Sequence, residues 1–362
     1  MKKNFFLWVT VFAVGAMSSC SVDKVVDQAE ARYIGFDPFA NKVTRAATTT
    51  AEGLGHSSFS VFGRYEEGTS TYNVIFNNKE VKWTGSTLDD TGGSWKYEPL
   101  VPWVSGKKYQ FAAIAPYKAS GYSYNYGTNI STAGTYTLGL ITVDATDANQ
   151  IDYMTATPIN DRSSGTSPVS FDFNHILSKI DFKFQPKIAD PNAWPSPVQI
   201  DIKKITLAQV NTVNTYNANN WGTSTTPIDF VKGNGSDIYG TTRYDGADVT
   251  ALEGKFSWLV VPQKNDETYS AETSSGRKLT IKFDVSTQDA AGNYTVKVLT
   301  DKEATIDITT DWNKNTHYTY TVYIGSNVLG ADPYITFDVN SVQGWGGPEE
   351  GTVDVTPLTT KP

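Results

Sequence analysis

One pattern restricts this chain more than any other: apolar and polar residues alternate with a period of two, in segment after segment, from residue 59 to residue 324. Phe59, Val61 and Tyr65 begin the series, followed by Tyr72, Val74 and Phe76, then Tyr109, Phe111 and Ala113. Tyr136, Leu138 and Leu140 come next, then Val198, Ile200 and Ile202, and Phe256, Trp258 and Val260. Leu279, Ile281, Phe283 and Val285 precede the turn Ala291-Gly292-Asn293, with Tyr294, Val296 and Val298 beyond it. Ala304, Ile306 and Ile308, then Tyr318, Tyr320, Val322 and Ile324, end the series. Side chains of a strand point alternately to two faces, so this pattern gives each strand one apolar side. A helix would need apolar residues at i, i+3, i+4 and i+7, and no long segment has them. With 20 Tyr, 17 Phe and 9 Trp, the chain is rich in residues that suit a pleated, half-buried surface. Many short strands separated by Gly, Asn, Asp and Ser turns predict an all-β protein of the sandwich type.

The alternation changes face twice. Val169, Phe171 and Phe173 are odd-numbered, whereas Ile180, Phe182 and Phe184 are even-numbered. One extra residue sends every later side chain to the other face. Either a bulge near 175–179 or a strand crossing between sheets is expected there. Ile202 to Ile205 and Leu207 repeats the change. The stretch 186–197 holds four prolines, which remove ladder donors and end strands. It divides the chain into an expected N-terminal sandwich domain, 47–186, and a C-terminal one, 190–362.

The first 46 residues differ from the rest. Lys2 and Lys3 precede an apolar run from Phe5 to Met17, shorter than the about 20 residues that span a bilayer. Length and flanks match a secretory signal peptide, residues 1–19. The run ends at Met17-Ser18-Ser19-Cys20, and Cys20 is the only cysteine. Small residues before a lone Cys are what a lipoprotein signal peptidase accepts. Cys20 is therefore expected to carry acyl chains and anchor the chain in a membrane without a spanning helix. Residues 20–46 read as a polar tether or propeptide containing one short strand, Tyr33-Ile34-Gly35-Phe36. Arg45 lies in an unpatterned polar stretch, a sequence context open to a trypsin-like protease.

Charge and motifs narrow the function. The formal charge is −8, and without residues 1–45 it is −10, with 24 basic against 34 acidic groups. An acidic chain with no basic patch argues against nucleic acid and against anionic membrane surfaces as partners. His56, His175 and His317 stand far apart, with no HExxH and no cysteine pair, so no metal site or other cofactor is expected. His175 reads as a packed structural residue. Asp144, Asp147, Asn149 and Asp152 are oxygen ligands close in sequence, but their spacing is not that of an EF-hand, and a solvated turn is the simpler reading. Nothing nominates a catalytic carboxylate pair, a GxSxG elbow or a phosphate loop. Trp83, Trp95, Tyr97 and Trp103 fit either a sandwich core or a sugar-stacking surface.

Taken in order, several short motifs resemble the fimbrillin family (Mfa-like, FimA-like) of Bacteroidetes lipoproteins, the subunits of type V pili. They are the lipobox at Cys20, Tyr33-Ile34-Gly35-Phe36, Val43-Thr44-Arg45-Ala46, Tyr109 to Pro116, and Asp152-Tyr153-Met154-Thr155-Ala156. Phe173 to Ile180, Asp311-Trp312-Asn313-Lys314-Asn315, Ile335-Thr336-Phe337 and Gly344-Trp345 complete the set. The resemblance implies two transthyretin-like β-sandwich domains in tandem and a structural, non-enzymatic role as stalk, tip or anchor of an adhesive surface fimbria. It implies cleavage of the Arg45–Ala46 bond by an Arg-specific protease, loss of the strand formed by Tyr33, Ile34 and Phe36, and strand addition by another subunit. The expected donor lies at the C-terminus, as Ile335, Phe337 and Val339 or as Val353 and Val355, with 344–348 as a hinge. A surface glycan-binding lipoprotein is the alternative, and it requires exposed tryptophans beside polar groups; a hydrolase ranks third.

Overall fold

The computed structural model describes residues 33–37, 58–85, 93–165, 168–189, 192–222, 227–264, 276–329 and 335–344, with backbone alone for 37 and 336–344. The regular structure of the described residues is nearly all strand, with two single 3-10 turns beside it, as the alternation predicts. The N-terminal half is built on a seven-stranded sheet. Its order is Phe173–His175, Met154–Ala156, Lys108–Ala115, Ser58–Gly68, Thr71–Trp83 and Trp95–Lys96, with Ile159–Ser163 also on Lys108–Ala115. The two central strands run antiparallel, with Val61 opposite Ala113 and Tyr65 opposite Tyr109. They are buried continuously, over 58–64 and 109–115, rather than on alternate residues. The reason is that both faces are covered. Phe59, Val61, Phe111 and Ala113 pack with Ile34, Phe36, Val169 and Phe171 on one side. Phe62, Ala112 and Ile114 pack with Tyr122, Tyr124, Tyr136 and Leu138 on the other. Close packing also dictates Gly63: a Cβ there would meet Phe76 at 2.8 Å and Phe111 at 2.9 Å.

The C-terminal half is a sandwich of two sheets. One holds four strands in the order Leu252–Val260, Ser178–Pro186, Thr316–Ile324 and Thr336–Gly344. Its inner side chains include Ile180, Phe182, Phe184, Trp258 and Tyr320, all buried. The other sheet runs Val249–Thr250, Gly240–Tyr244, Val198–Asn211, Lys278–Thr287 and Val296–Asp307, with Pro227–Lys232 also on Val198–Asn211. It supplies Val198, Ile200, Ile202, Leu279, Ile281, Phe283 and Val285 to the same core. The halves are joined by a small sheet in which Gly139–Thr142 pairs with Val213–Asn217. One hydrophobic cluster runs through both, from Phe62 and Ala112 to Ile180 and Val322.

Both changes of face are explained. Phe173–His175 belongs to the seven-stranded sheet and Ser178–Pro186 to the four-stranded one, so the chain crosses between sheets at 176–177. Within Val198–Asn211 the register shifts between Ile202 and Lys204, which is a bulge.

Ser178–Pro186, expected within the 47–186 unit, pairs with Leu252–Val260 and, in parallel, with Thr316–Ile324. The proline-rich stretch after it is a packed loop. Trp194 is buried and its Nε1 donates to the Ile324 carbonyl at 2.7 Å.

Some of the alternating apolar residues face water, Val74 among them. Leu140 is exposed while Ile141 is buried, because Gly139 (φ 73°) breaks the alternation of Tyr136 and Leu138. Val296 and Val298, on an outer strand, are 46% and 40% exposed.

Candidate functional site

The segment 33–37 lies across the apolar face of the seven-stranded sheet. Tyr33 bridges to Pro102, and Phe36–Asp37 pairs in parallel with Val169–Ser170. Its backbone is held from both sides. The Ile34 N–H donates to the Val101 carbonyl at 2.9 Å, and the Val169 N–H donates to the Gly35 carbonyl at 2.8 Å. The Tyr97 hydroxyl donates to the Ile34 carbonyl at 2.7 Å and accepts from the Val101 N–H at 3.2 Å. Burial raises the Tyr97 pKa to about 12, against a lowering by the Val101 N–H, so this phenol remains a donor at neutral pH.

Alternation sorts the side chains. Ile34 and Phe36 point inward, 1% and 6% exposed, while Tyr33 is 39% exposed. Phe36 stacks on Phe171 with centroids 5.7 Å apart and meets Phe76 edge-on at 5.3 Å. Tyr97 and Phe111 stand 5.4 and 6.1 Å from it. Gly35 passes over Pro168, whose side chain lies 3.9 Å from where a Cβ would be. The site is thus an aromatic groove occupied by five residues of the chain itself. Phe76, Phe111 and Phe171 were legible as strand residues. Tyr97 and Val101 were missed as groove residues, although the aromatic run between Trp95 and Trp103 marked their neighbourhood.

The other expected site residues lie elsewhere. Cys20, Arg45, Ala46, Val353 and Val355 fall outside the described residues. Ile335 is buried, and the strand after it forms the outer strand of the four-stranded sheet. There Phe337 lies opposite Val322, and Val339 opposite Tyr320. The expected hinge glycine, Gly344, ends this strand.

The tryptophans are partly buried, each against another ring: Trp83 on Trp95 at 5.4 Å, Trp95 on Phe59 at 4.9 Å, and Trp103 on Tyr109 at 4.7 Å. Such packing is that of a core margin rather than of a free sugar platform. His175 is buried with Nδ1 2.7 Å from Asp152, and His317 Nε2 is 2.7 Å from Asp181. Among the described residues no three His, Cys, Asp or Glu side chains converge as metal ligands.

The comparisons with known proteins agree with this architecture. A family model described as fimbrillin-like matches residues 44–339, more than half of the chain. A fimbrial protein from Bacteroides vulgatus ATCC 8482 shares the fold at a TM-score of 0.56 and 22% identity, over 87% of this chain and 99% of that one. A candidate cell adhesion protein from Bacteroides ovatus ATCC 8483 aligns at a TM-score of 0.46 and 16% identity, over 86% of this chain and 96% of that one. A fimbrial assembly protein from Parabacteroides distasonis ATCC 8503 aligns at 0.36 and 11%, over 82% and 93%. No curated protein matches the sequence. With a family match across most of its length and an all-β sandwich fold to go with it, the chain belongs to the fimbrillin-like family.

Proposed function

We propose that the chain is a structural subunit of a surface fimbria, assembled by exchange of strands between copies after proteolysis. One observation carries this reading: the groove of the N-terminal half is filled by a short segment that lies just before Arg45. Ile34 and Phe36 are the only two of its described side chains that are buried. Burying each contributes about 1.5–3 kcal/mol, and each hydrogen bond adds about 1 kcal/mol. A separate peptide would lose about 4–15 kcal/mol of translational and rotational freedom on binding, which is comparable with or larger than that gain. Attached to the chain, the segment avoids most of that loss. Cut at Arg45–Ala46, it leaves.

Departure uncovers Phe76, Tyr97, Phe111 and Phe171 and frees the Val169 N–H and the Val101 carbonyl. An open edge beside an apolar groove accepts a strand. On this reading the donor is a C-terminal segment of another subunit, around Ile335, Phe337 and Val339 or around Val353 and Val355. The protease is Arg-specific, and acyl chains on Cys20 hold the uncut precursor to the outer membrane. The role in adhesion is structural rather than catalytic. Family membership supports the fimbrial reading, as does the likeness to a protein described as fimbrial.

The test is electrophoresis of purified precursor without boiling, before and after an Arg-specific protease. Cleavage at Arg45 is expected to give an SDS-resistant ladder, which removal of residues 335–362 abolishes. A cleaved chain that stays monomeric, or a ladder that survives the deletion, defeats the scheme.

A further inference from the structure

The turn holding Asp144, Asp147 and Asn149 covers a sheet edge. Leu252–Val260 is the outer strand of the four-stranded sheet, paired on one side with Ser178–Pro186. An outer strand presents unpaired N–H and C=O groups, a template for another strand. Here one side chain takes the neighbour's place. The Leu259 N–H donates to Gln150 Oε1 at 2.6 Å, and Gln150 Nε2 donates to the Leu259 carbonyl at 3.0 Å. A carboxamide carries the same donor and acceptor as a peptide group, so Gln150 reproduces the two bonds an antiparallel neighbour would make. Gln150 Nε2 also donates to the Asp144 carbonyl at 2.8 Å, which ties the side chain to its own turn.

That turn is built in advance. The Thr146 N–H donates to Asp144 Oδ1 at 2.7 Å, and the Gln150 N–H donates to the Asp147 carbonyl at 3.1 Å. Asp147 Oδ2 lies 2.7 Å from Lys232 Nζ, and the same ammonium donates to the Lys255 carbonyl at 3.1 Å. Lys255 stands four residues before Leu259 on the same strand, so two positions of the edge are closed by side chains from elsewhere. Exposed apolar residues adjoin these partners in sequence: Ile151 and Val231, and Ile238 beside Tyr239, whose carbonyl accepts from Lys255 Nζ. Tyr239 packs on Phe256 of the strand at 5.1 Å.

We propose that the Asp144–Gln150 turn is a strand surrogate, which closes the 252–260 edge and keeps it from pairing with the same edge of a second copy of this chain. A second copy is the fitting occupant because two identical edges pair antiparallel about a two-fold axis, each meeting the other's unpaired groups and apolar flank. This holds whether or not the groove of the N-terminal half exchanges strands.

The experiment uses the full chain and two variants. Gln150→Ala removes both bonds to Leu259, and Asp147→Ala loosens the turn without touching Leu259. Site-resolved amide exchange and sedimentation velocity across a concentration series are the readouts. In Gln150→Ala the Leu259 amide is expected to exchange at least about tenfold faster, with a reversible dimer appearing as concentration rises. Asp147→Ala should move both in the same direction by less. The proposal is overturned if Leu259 exchanges as slowly in both variants as in the parent, or if it exchanges fast while both variants stay monomeric throughout.

Discussion

Phe36 gives the N-terminal segment most of its hold on the body, since four aromatic rings surround it within 6.1 Å. Replacing a buried Phe by Ala costs about 3 kcal/mol or more when the cavity cannot collapse. Phe36→Ala should therefore lower the stability of the uncut precursor by about 3 kcal/mol in urea unfolding. The same variant should speed assembly after cleavage, because its plug leaves sooner. A second residue-scale effect concerns acid. Burial pushes the Asp284 carboxyl up, but Lys203, the Asp301 N–H and Lys297 together hold it below its ordinary 3.8. A carboxyl depressed in the folded state stabilises fully above its unfolded value and loses that contribution as pH falls through the folded one. Urea midpoints should thus be insensitive to Asp284 from neutrality to about pH 4 and fall below that, and an Asp284→Asn variant should show a flatter acid limb. At this scale the sequence was readable where one face was buried, as for Ile34 and Phe36. It misled at Leu140, where the positive φ of Gly139 turns the chain, and alternation alone carries no sign of that.

Elements differ in how open they are to a protease, and the arginines illustrate it. Arg64 sits in the central strand Ser58–Gly68, 6% exposed, with Tyr72 and Tyr126 rings 4.0 and 4.6 Å from its guanidinium. Arg277 is 5% exposed, lies 4.3 Å over Trp312, and donates to the carbonyls of Lys264 and Thr310. Arg243 is on Gly240–Tyr244, between two other strands. Arg162 is on Ile159–Ser163 and donates to the Pro168 carbonyl. A protease needs an extended, unpaired substrate, so cutting at any of these requires local unfolding first. An Arg-specific protease should cut the native chain before residue 58 and spare the body, as mass spectrometry of the products will show. A cut at Arg162 or Arg243 under native conditions would contradict this. Element identity was largely legible, because period two is a strong signal. Sheet membership was not: the crossing at 176–177 and the parallel pairing of Ser178–Pro186 with Thr316–Ile324 join residues 138 positions apart, and local pattern does not reach that far. The clasp of Gln150 on Leu259, 109 residues away, was hidden for the same reason.

At the scale of the whole molecule, one hydrophobic cluster and a shared small sheet tie the halves together, so the strand exchange proposed for the N-terminal groove would take place on a firm body. The proline-rich stretch packs on the body through Trp194, since a loop that cannot pair in a sheet can still pack on one. The central claim is that the groove is emptied by cleavage and refilled by another subunit. The Val169 amide reports this directly, because its hydrogen bond goes to the Gly35 carbonyl of the plug. Amide exchange at Val169 should be slow in the uncut precursor, fast in the cleaved monomer, and slow again in the assembled fibre. A Val169 amide that stays equally protected in the precursor and the cleaved monomer would contradict the account, as would one that stays unprotected in the fibre.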